Sequence, residues 1–493
     1  MHQQATSKKV IKTTSNGVDF KKIDYSKLAP FRFKKLGRDY LVTNEVGDYV
    51  FLAPKDFNNY LQGKLNKETS LYKELSQKNF IGGEIKTERL IEKYKQRNQF
   101  LFQPGPSLHI IVVTLRCNHQ CLYCQASSCG PGGKDKDLDL ETAKKIVDLI
   151  FQSCNPFLAI EFQGGEPLLN WPAVEFIIDY ALKKNKKEKR SLELRLVSNF
   201  SLLDEQKMNY LFKKGVIFCT SLDGPEKLHN KNRIFLEGNS HQITIKWLKK
   251  ILKIYKKYYI YQPGAITTVT RFSFPYWKEI INEYLKLGVD NIFIRPLTPL
   301  GMARRTWQKI GYSPSEFLEF YKKSLDCILK FNLEKKVRFR EITATTMAAK
   351  ILTKKEPNYF ELRSPCGAGI GQILYNYDGK IYTCDEGRML GEETFCLGDI
   401  GKISYNDVIS HPTLKAICLA SCFDNLACDS CVYKPYCGTC PVLNYAEFGN
   451  IFPQLPNSSR CQIYQGIFDY LFKKIKENDK IKAILKEWST SRY

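Results

Sequence analysis

Two hydrophobic periods alternate along the middle of the chain. Short apolar runs rich in β-branched residues stand at 108–115, 158–163, 192–199, 216–222, 264–270 and 291–297. Between them apolar residues recur every three or four positions, at 140–152, 172–184, 204–214, 243–257 and 276–287, and once more at 314–333. The first pattern predicts buried strands and the second amphipathic helices. Strict alternation of the two implies parallel strands joined by right-handed crossovers. Six such units predict an α/β fold, a partial (β/α)6 barrel short of a complete eight-stranded one, within residues 104–335. In such a barrel, chemistry collects where strands end and loops begin.

The flanks read differently. Residues 1–28 are polar and basic without periodicity, which predicts a mobile tail. Within 29–82, Tyr40–Leu52 reads as two short strands around the turn Asn44-Glu-Val-Gly47, followed by helices near 55–63 and 69–77. A hairpin with short helices predicts a small winged-helix-like domain. Residues 83–103 are charged and helical, a linker. From 336 to 465 the text becomes short strands, Gly-rich turns and cysteines. It closes, over 466–493, on an amphipathic helix near 462–487.

A chain of 493 residues predicts two or three domains. No run of 18 apolar residues occurs, so no membrane span is expected. The first twenty residues lack the apolar segment of a secretory signal, which predicts a cytoplasmic protein. The formal net charge is +24. Its lysines are spread along the chain, and runs such as Lys183–Arg190 fall on predicted helices, where a solvated face is the ordinary reading. A nucleic-acid partner is therefore disfavoured, whereas an acidic peptide would be steered towards the protein. The cysteines change the picture most. None of the 17 precedes Cys117, three fall within Cys117–Cys124, and ten lie between Cys366 and Cys461. Without an export signal, such cysteines point to metal or redox chemistry rather than disulfides. Cys154, Cys219 and Cys327 stand apart on predicted strands or helices and read as buried structural cysteines.

The strand His109–Leu115 runs into Arg116-Cys117-Asn-His-Gln-Cys121-Leu-Tyr123-Cys124. A tight loop can present three thiolates to one iron–sulfur cubane and leave its fourth iron open. A zinc knuckle would need a fourth ligand, for which His119 and Cys129 are placed. The spacing, directly after a strand and with an aromatic before the last cysteine, resembles the signature of the radical S-adenosylmethionine (SAM) superfamily. The resemblance continues at later strand ends: Gln163-Gly164-Gly165-Glu166-Pro167, then Ser198-Asn199, then Ser221-Leu-Asp223-Gly-Pro with His229 through Arg233 beyond, and finally Arg295. It implies a SAM-binding 4Fe–4S cluster on Cys117, Cys121 and Cys124. A methionine ammonium group suits the Gly164–Gly165 carbonyls and Glu166. Its carboxylate suits Arg233 and Ser221, with Arg295 a further candidate. Tyr123 is placed to lie against the adenine.

The C-terminal cysteines resemble the SPASM domain of peptide-modifying radical SAM enzymes. That likeness implies two auxiliary 4Fe–4S clusters, three clusters in all. Cys428, Cys431, Cys437 and Cys461 would hold the distal one; Cys366, Cys384 and Cys440 the proximal one. No cysteine follows Cys366 closely, so the proximal cluster has an open iron or takes Cys396, Cys418 or Cys422. The alternative is a structural zinc domain. Asp385, beside Cys384, occupies the position of a catalytic base in related enzymes. The wording around Ser107–Gln125 and Ile160–Leu169 is similar to that of His-Xaa-Ser system radical SAM maturases. This implies a ribosomally made peptide or small protein as substrate, one bearing His-Xaa-Ser repeats, and an electron donor such as flavodoxin or ferredoxin. Other classes remain: a sulfatase-maturase-like enzyme oxidising a Cys or Ser, against which the long stretch before Cys117 counts, and a nucleic-acid-modifying enzyme.

Overall fold

The computed structural model describes residues 22–490, apart from 103, 259–261, 336, 354–355, 358, 423–426, 454 and 456. Most of the predicted basic tail lies outside the described residues. Its last residues form a 3-10 turn, Tyr25–Lys27, capped by the Asp24 carboxylate. The chain divides into two compact units, one of residues up to Lys95 with Ser430–Pro435, the other of the remaining residues.

In the first unit β1 (Arg32–Leu36), β2 (Asp39–Thr43) and β3 (Tyr49–Leu52) form an antiparallel sheet in that order. The β2–β3 turn is set by Asn44, whose side chain accepts from the Asp48 N–H (2.9 Å), with Gly47 at φ +72°. Tyr40, Val42, Val50 and Leu52 alternate onto one face and pack against Phe57, Tyr60 and Leu61 of the helix Pro54–Leu61, Leu75 of the helix Ser70–Gln77, and Phe80. The sequence pattern had placed β2, β3 and both helices; it passed over β1, whose Arg-Phe-Lys-Lys-Leu text carries three polar residues in five.

The second unit is built on a ten-stranded sheet. Its strands are β4 (Leu108–Thr114), β6 (Phe157–Gly164), β7 (Ser191–Val197), β8 (Ile217–Ser221), β10 (Gly264–Thr268), β11 (Asn291–Arg295), β12 (Arg340–Glu341), β13 (Gln372–Tyr375), β14 (Lys380–Tyr382) and β15 (Cys396–Asp399). Two further short strands, β5 (Gln120–Cys121) and β9 (Arg233–Ile234), pair with each other. The sheet order is β12-β11-β10-β8-β7-β6-β4-β13-β14-β15. All neighbours from β12 to β13 are parallel. The six predicted strands are therefore consecutive staves in chain order, an α/β fold with a mostly parallel sheet. Helices Leu140–Ile150, Trp171–Glu188, Glu205–Lys213, Ser240–Tyr258 and Trp277–Leu287 connect them.

The predicted last helix is broken in two at Asn478, giving Ser459–Glu477 and Asp479–Thr490. Cys154 is exposed in a loop rather than buried in an element.

One extension was not foreseen. β13 joins the barrel sheet alongside β4, parallel to it, and β14 and β15 follow antiparallel. Because β14 runs back against β13, Cys384 is delivered to the level where β4 begins. The Cys117 loop lies where β4 ends. Seven residues at about 3.3 Å each put roughly 20 Å between those levels.

His109 sits fully buried on β4 with Nδ1 3.2 Å from the Tyr375 hydroxyl. Burial pushes its pKa down to about 3, against about 6.5 in the unfolded chain. Above pH 6.5 the ring is neutral in both states. Between pH 6.5 and 3 only the unfolded chain gains the proton, so this residue removes about 1.4 kcal/mol of stability per pH unit as acidity rises. Urea midpoints across that window should fall less steeply for His109→Gln than for the wild type.

Candidate functional site

The loop after β4 is fastened before any ligand is considered. Arg116 forms a two-point ion pair with Asp137, at 2.8 and 2.6 Å, and also donates to the carbonyls of Leu169 and Pro131. Thr114 Oγ1 donates to the same Asp137 (2.6 Å). The Cys117 N–H donates to the Cys129 carbonyl, and Cys124 to Cys121. β5, which contains Cys121, pairs with β9 so that Cys121 stands opposite Arg233.

Gly164 and Gly165 press against this loop. A Cβ at Gly164 would lie 2.2 Å from the Thr114 carbonyl oxygen, and one at Gly165 2.2 Å from that of Arg116. Their own hydrogen bonds close the gap: Gly165 N–H to Thr114 and Glu166 N–H to Arg116. The glycines are thus demanded by backbone approach.

The Glu166 side chain is 1 % exposed and does not line the cavity. It accepts from Ser198 Oγ (2.8 Å), the Asn199 N–H (2.8 Å) and the Leu168 N–H (3.1 Å). Burial raises its pKa. The carboxylate therefore ties the β6 and β7 ends together behind the cavity wall.

Asp223 is likewise withdrawn. Its Oδ1 accepts from the Tyr123 hydroxyl (3.0 Å) and the Thr268 N–H (3.3 Å), and Tyr123 in turn accepts from Arg233 Nη1 (3.0 Å). Burial lifts the Asp223 carboxyl to about 6, opposed by Arg233.

Cys117, Cys121 and Cys124 open on one cavity of about 710 Å³ with Tyr123, Gln163, Gly164, Gly165, Ser198, Asn199, Ser221, Arg233 and Arg295. Burial pushes the Cys117 thiol up to about 12 and Cys121 to about 11; a cationic cluster would reverse this, since coordinated thiols are deprotonated. Both ring nitrogens of His119 are engaged: Nε2 lies 2.9 Å from Ser240 Oγ, which also stands 3.0 Å from His229 Nε2, and Nδ1 lies 3.0 Å from Asn199 Nδ2 and 3.2 Å from Asn118 Oδ1. The His119 ring stacks on Phe235 at 4.5 Å. Cys129 is exposed, its thiol donating to the Leu115 carbonyl.

The same cavity is lined at its other end by Cys366, Cys384, Cys440 and Asp385. These three cysteines share one apolar cluster with Phe395 and Ile417, against which Cys396 is partly buried. Cys384 caps the helix Asp385–Leu390, its sulfur accepting from the Gly387 N–H (3.4 Å). Cys366 is tied through its N–H to Ser421 Oγ (2.7 Å), on the segment that contains Cys418 and Cys422. Cys428, Cys437 and Cys461 do not line the cavity, and Cys431 belongs to the first unit. Among the described residues no three of Cys, His, Asp or Glu converge on a single metal ion.

Sequence reasoning missed the charges along the barrel interior. Glu161 and Arg195 are register partners on β6 and β7, and Gln163 donates to Glu161 (2.8 Å). Glu361 bridges Arg295 (3.6 Å) and Arg460 (2.7 Å), which withdraws Arg295 from free use as a carboxylate partner. Glu386 lies beside Asp385 and is held well above the usual carboxyl range by burial and that neighbour. Cys219, expected to be structural, lines the cavity between these groups. The missed signal was a charged residue within an otherwise apolar parallel strand.

Comparison with known proteins matches one part of this arrangement to a family model. Residues 111–275 match the model of the radical SAM superfamily. Three relatives extend the likeness. An uncharacterized protein of Methanocaldococcus jannaschii is 32 % identical over 38 % of this chain and 62 % of its own. The radical SAM cyclopropyl synthase TigE of Paramaledivibacter caminithermalis is 28 % identical over 50 % of this chain and 52 % of its own. The chain thus spans between half and two thirds of these two. A cysteine-type anaerobic sulfatase-maturating enzyme of Clostridium perfringens is 24 % identical over 76 % of this chain and 98 % of its own.

Among solved structures, that of the sulfatase-maturating enzyme anSMEcpe with bound AdoMet superposes with TM-score 0.64 at 19 % identity, over 78 % of this chain and all of the other. That of Streptococcus suis SuiB bound to the precursor peptide SuiA gives 0.51 at 14 %, over 88 % and 99 %. At these identities the superpositions establish the fold alone. A matching family model, over a loop of three thiols opening on one cavity with the strand ends beside it, makes residues 111–275 of this chain a radical SAM domain, which implies SAM and a 4Fe–4S cluster.

Proposed function

We propose that the protein modifies a peptide or small protein by radical chemistry, using a SAM-binding cluster on Cys117, Cys121 and Cys124 and two auxiliary clusters on the C-terminal cysteines. One observation supports this most: a single cavity is lined at one end by those three thiols and at the other by Cys366, Cys384 and Cys440. When bound, SAM and the clusters supply a 5′-deoxyadenosyl radical to take a hydrogen atom and an acceptor for the electron left behind.

The chain's own residues do the rest. The Gly164–Gly165 backbone and Ser221 face the cavity where SAM would sit, and Arg233 supplies a cation for its carboxylate. Glu166 and Asp223 are positioning residues, the first holding the β6 and β7 ends and the second orienting Tyr123. Asp385, which lines the cavity at the Cys384 end, would take a substrate proton, with the Glu386 carboxyl beside it. Walls of Leu108, Ile110, Ile266 and Phe293 exclude water around the reacting side chain.

Relatives and fold neighbours support a peptide substrate, since the SuiB structure contains a precursor peptide. The sequence likeness to His-Xaa-Ser system maturases narrows it to a partner with such repeats. A second reading, oxidation of a Cys or Ser in a sulfatase-like protein, is favoured by the near-complete coverage of the Clostridium perfringens enzyme. In the first unit, β1 and β3 are the outer strands of the sheet. An extended leader peptide can add to such an edge, with main-chain hydrogen bonds giving affinity.

Three outcomes test these readings. Anaerobically reconstituted enzyme should bind about twelve irons and the Cys117/Cys121/Cys124→Ala variant about eight; zinc without labile sulfide in the variant would sink the auxiliary clusters. Glu166→Ala should keep its iron yet bind SAM roughly tenfold more weakly, because buried donors at Ser198 and Asn199 lose their acceptor. Equal SAM affinity in titrations would remove that anchor from the site. Deleting residues 1–80 should leave substrate-independent SAM cleavage intact and abolish peptide modification; modification at the wild-type rate would exclude leader docking there.

A further inference from the structure

A second concavity, of about 320 Å³, lies on the other side of the wall that closes the cysteine cavity. It is lined by Ser127, Ser128, Met302, Arg304, Arg305 and Met389, among others. Ser128 and Met389 line both spaces. Ser128 therefore lines the groove while its Oγ stands beside the Cys124 sulfur.

Its connection to that thiol is bonded as well as short. The Met302 N–H donates to the Cys124 carbonyl at 2.7 Å, and the Cys124 sulfur stands 3.3 Å from Ser128 Oγ. No room is left between the strips of chain. Gly301 has φ +56°, and a Cβ there would meet the Gln125 carbonyl oxygen at 2.5 Å. Across the groove, Arg388 Nη1 donates to the Ala126 carbonyl at 2.7 Å. Both walls are thus pinned to the residues that follow Cys124.

The chemistry of the rim is one-sided. Arg304 and Arg305 are exposed, and neither forms an ion pair among the described residues. Met302, 38 % exposed, stands beside them. No carboxylate lines the groove. A small apolar spot with a cationic rim is what a transient, electrostatically steered contact requires, since rim charges act mainly on the rate of encounter. An adaptable methionine suits such a contact.

We propose that this groove docks the reductant: a small electron-transfer protein with an acidic surface and a flavin or iron–sulfur centre. The step is balanced within the pair. One electron would leave the reduced carrier, which is oxidised by one equivalent, and would reduce by one equivalent the 4Fe–4S cluster that Cys117, Cys121 and Cys124 would hold; the Met302–Cys124 hydrogen bond and Ser128 lie between. No atom is transferred. The proposal rests on the radical reading above and adds the place and polarity of its electron supply.

Full-length reconstituted enzyme, its Arg304→Glu/Arg305→Glu variant and a charge-matched control, Lys480→Glu/Lys482→Glu on the remote helix Asp479–Thr490, would be compared by 5′-deoxyadenosine formation. Each would be driven either by an acidic flavodoxin kept reduced by its NADPH-dependent reductase, or by dithionite. The groove variant should lose roughly tenfold of its flavodoxin-driven rate at low salt, with a flatter salt dependence, and keep its dithionite-driven rate. The control should keep both. An unchanged flavodoxin-driven rate would overturn the proposal, as would an equal fall with dithionite, which would assign the arginines to the SAM site or the fold. A raised KM for peptide under dithionite would make the groove a substrate path instead. Wild-type enzyme forming no 5′-deoxyadenosine with dithionite would sink the radical reading itself, and the docking site with it.

Discussion

Everything at this site depends on how closely two stretches of backbone can approach. Gly164 and Gly165 lie so near the carbonyls of Thr114 and Arg116 that any side chain there would force the β6 end away from the Cys117 loop. Their N–H groups, and that of Glu166, hold the loop's carbonyls in turn. The three thiols are consequently presented by a scaffold of main-chain bonds and the Arg116–Asp137 clamp. Preorganisation of this kind is what lets a reactive cofactor be gripped at one geometry.

The interior of the barrel has a cost that the rest of the fold offsets. Glu161, Arg195, Arg295, Glu361 and Arg460 line the cavity within the sheet-based unit. Charges removed from water are tolerated only when paired, and here they are paired in strings: Glu161 with Gln163 and Arg195, Glu361 between two arginines. The surrounding strands supply the compensating apolar burial, with Ile160, Phe162, Leu194, Leu196 and Ile292 fully or almost fully buried.

Much of this was legible in the sequence, and the limits have physical causes. The six barrel strands are continuous apolar runs because both their faces are covered, so periodicity found them. The cysteine loop and the strand-end motifs were legible because their spacing is local. The pairing of Cys121 with Arg233 was not, since two-residue strands leave no period to read. The β4–β13 contact was equally hidden: it joins residues more than 260 positions apart, and Gln-Ile-Leu-Tyr is too short to declare a partner. Gly164–Gly165 and Glu166 were found by motif, but their protein neighbours were not: the glycines lie against the end of β4 while still lining the cavity, and the glutamate accepts from Ser198 Oγ and the Asn199 N–H beyond β7.

The topology then explains why the two ends of the cavity differ in character. Parallel strands gather their C-terminal ends, and with them the Cys117 loop, at one mouth of the barrel. An eleventh-hour reversal, β13 into β14, carries Cys384 to the opposite level, and the short helix Asp385–Leu390 returns along the wall until Arg388 reaches the Ala126 carbonyl. On the proposed function, a substrate held between would meet hydrogen abstraction at one end and a carboxylate pair beside thiols at the other, in that spatial order. A fold with all its chemistry at one mouth would have to perform both steps in the same place, with the product of the first exposed to the reagents of the second. Separation along the barrel axis removes that conflict, and it follows from nothing more than the direction in which one added strand pairs.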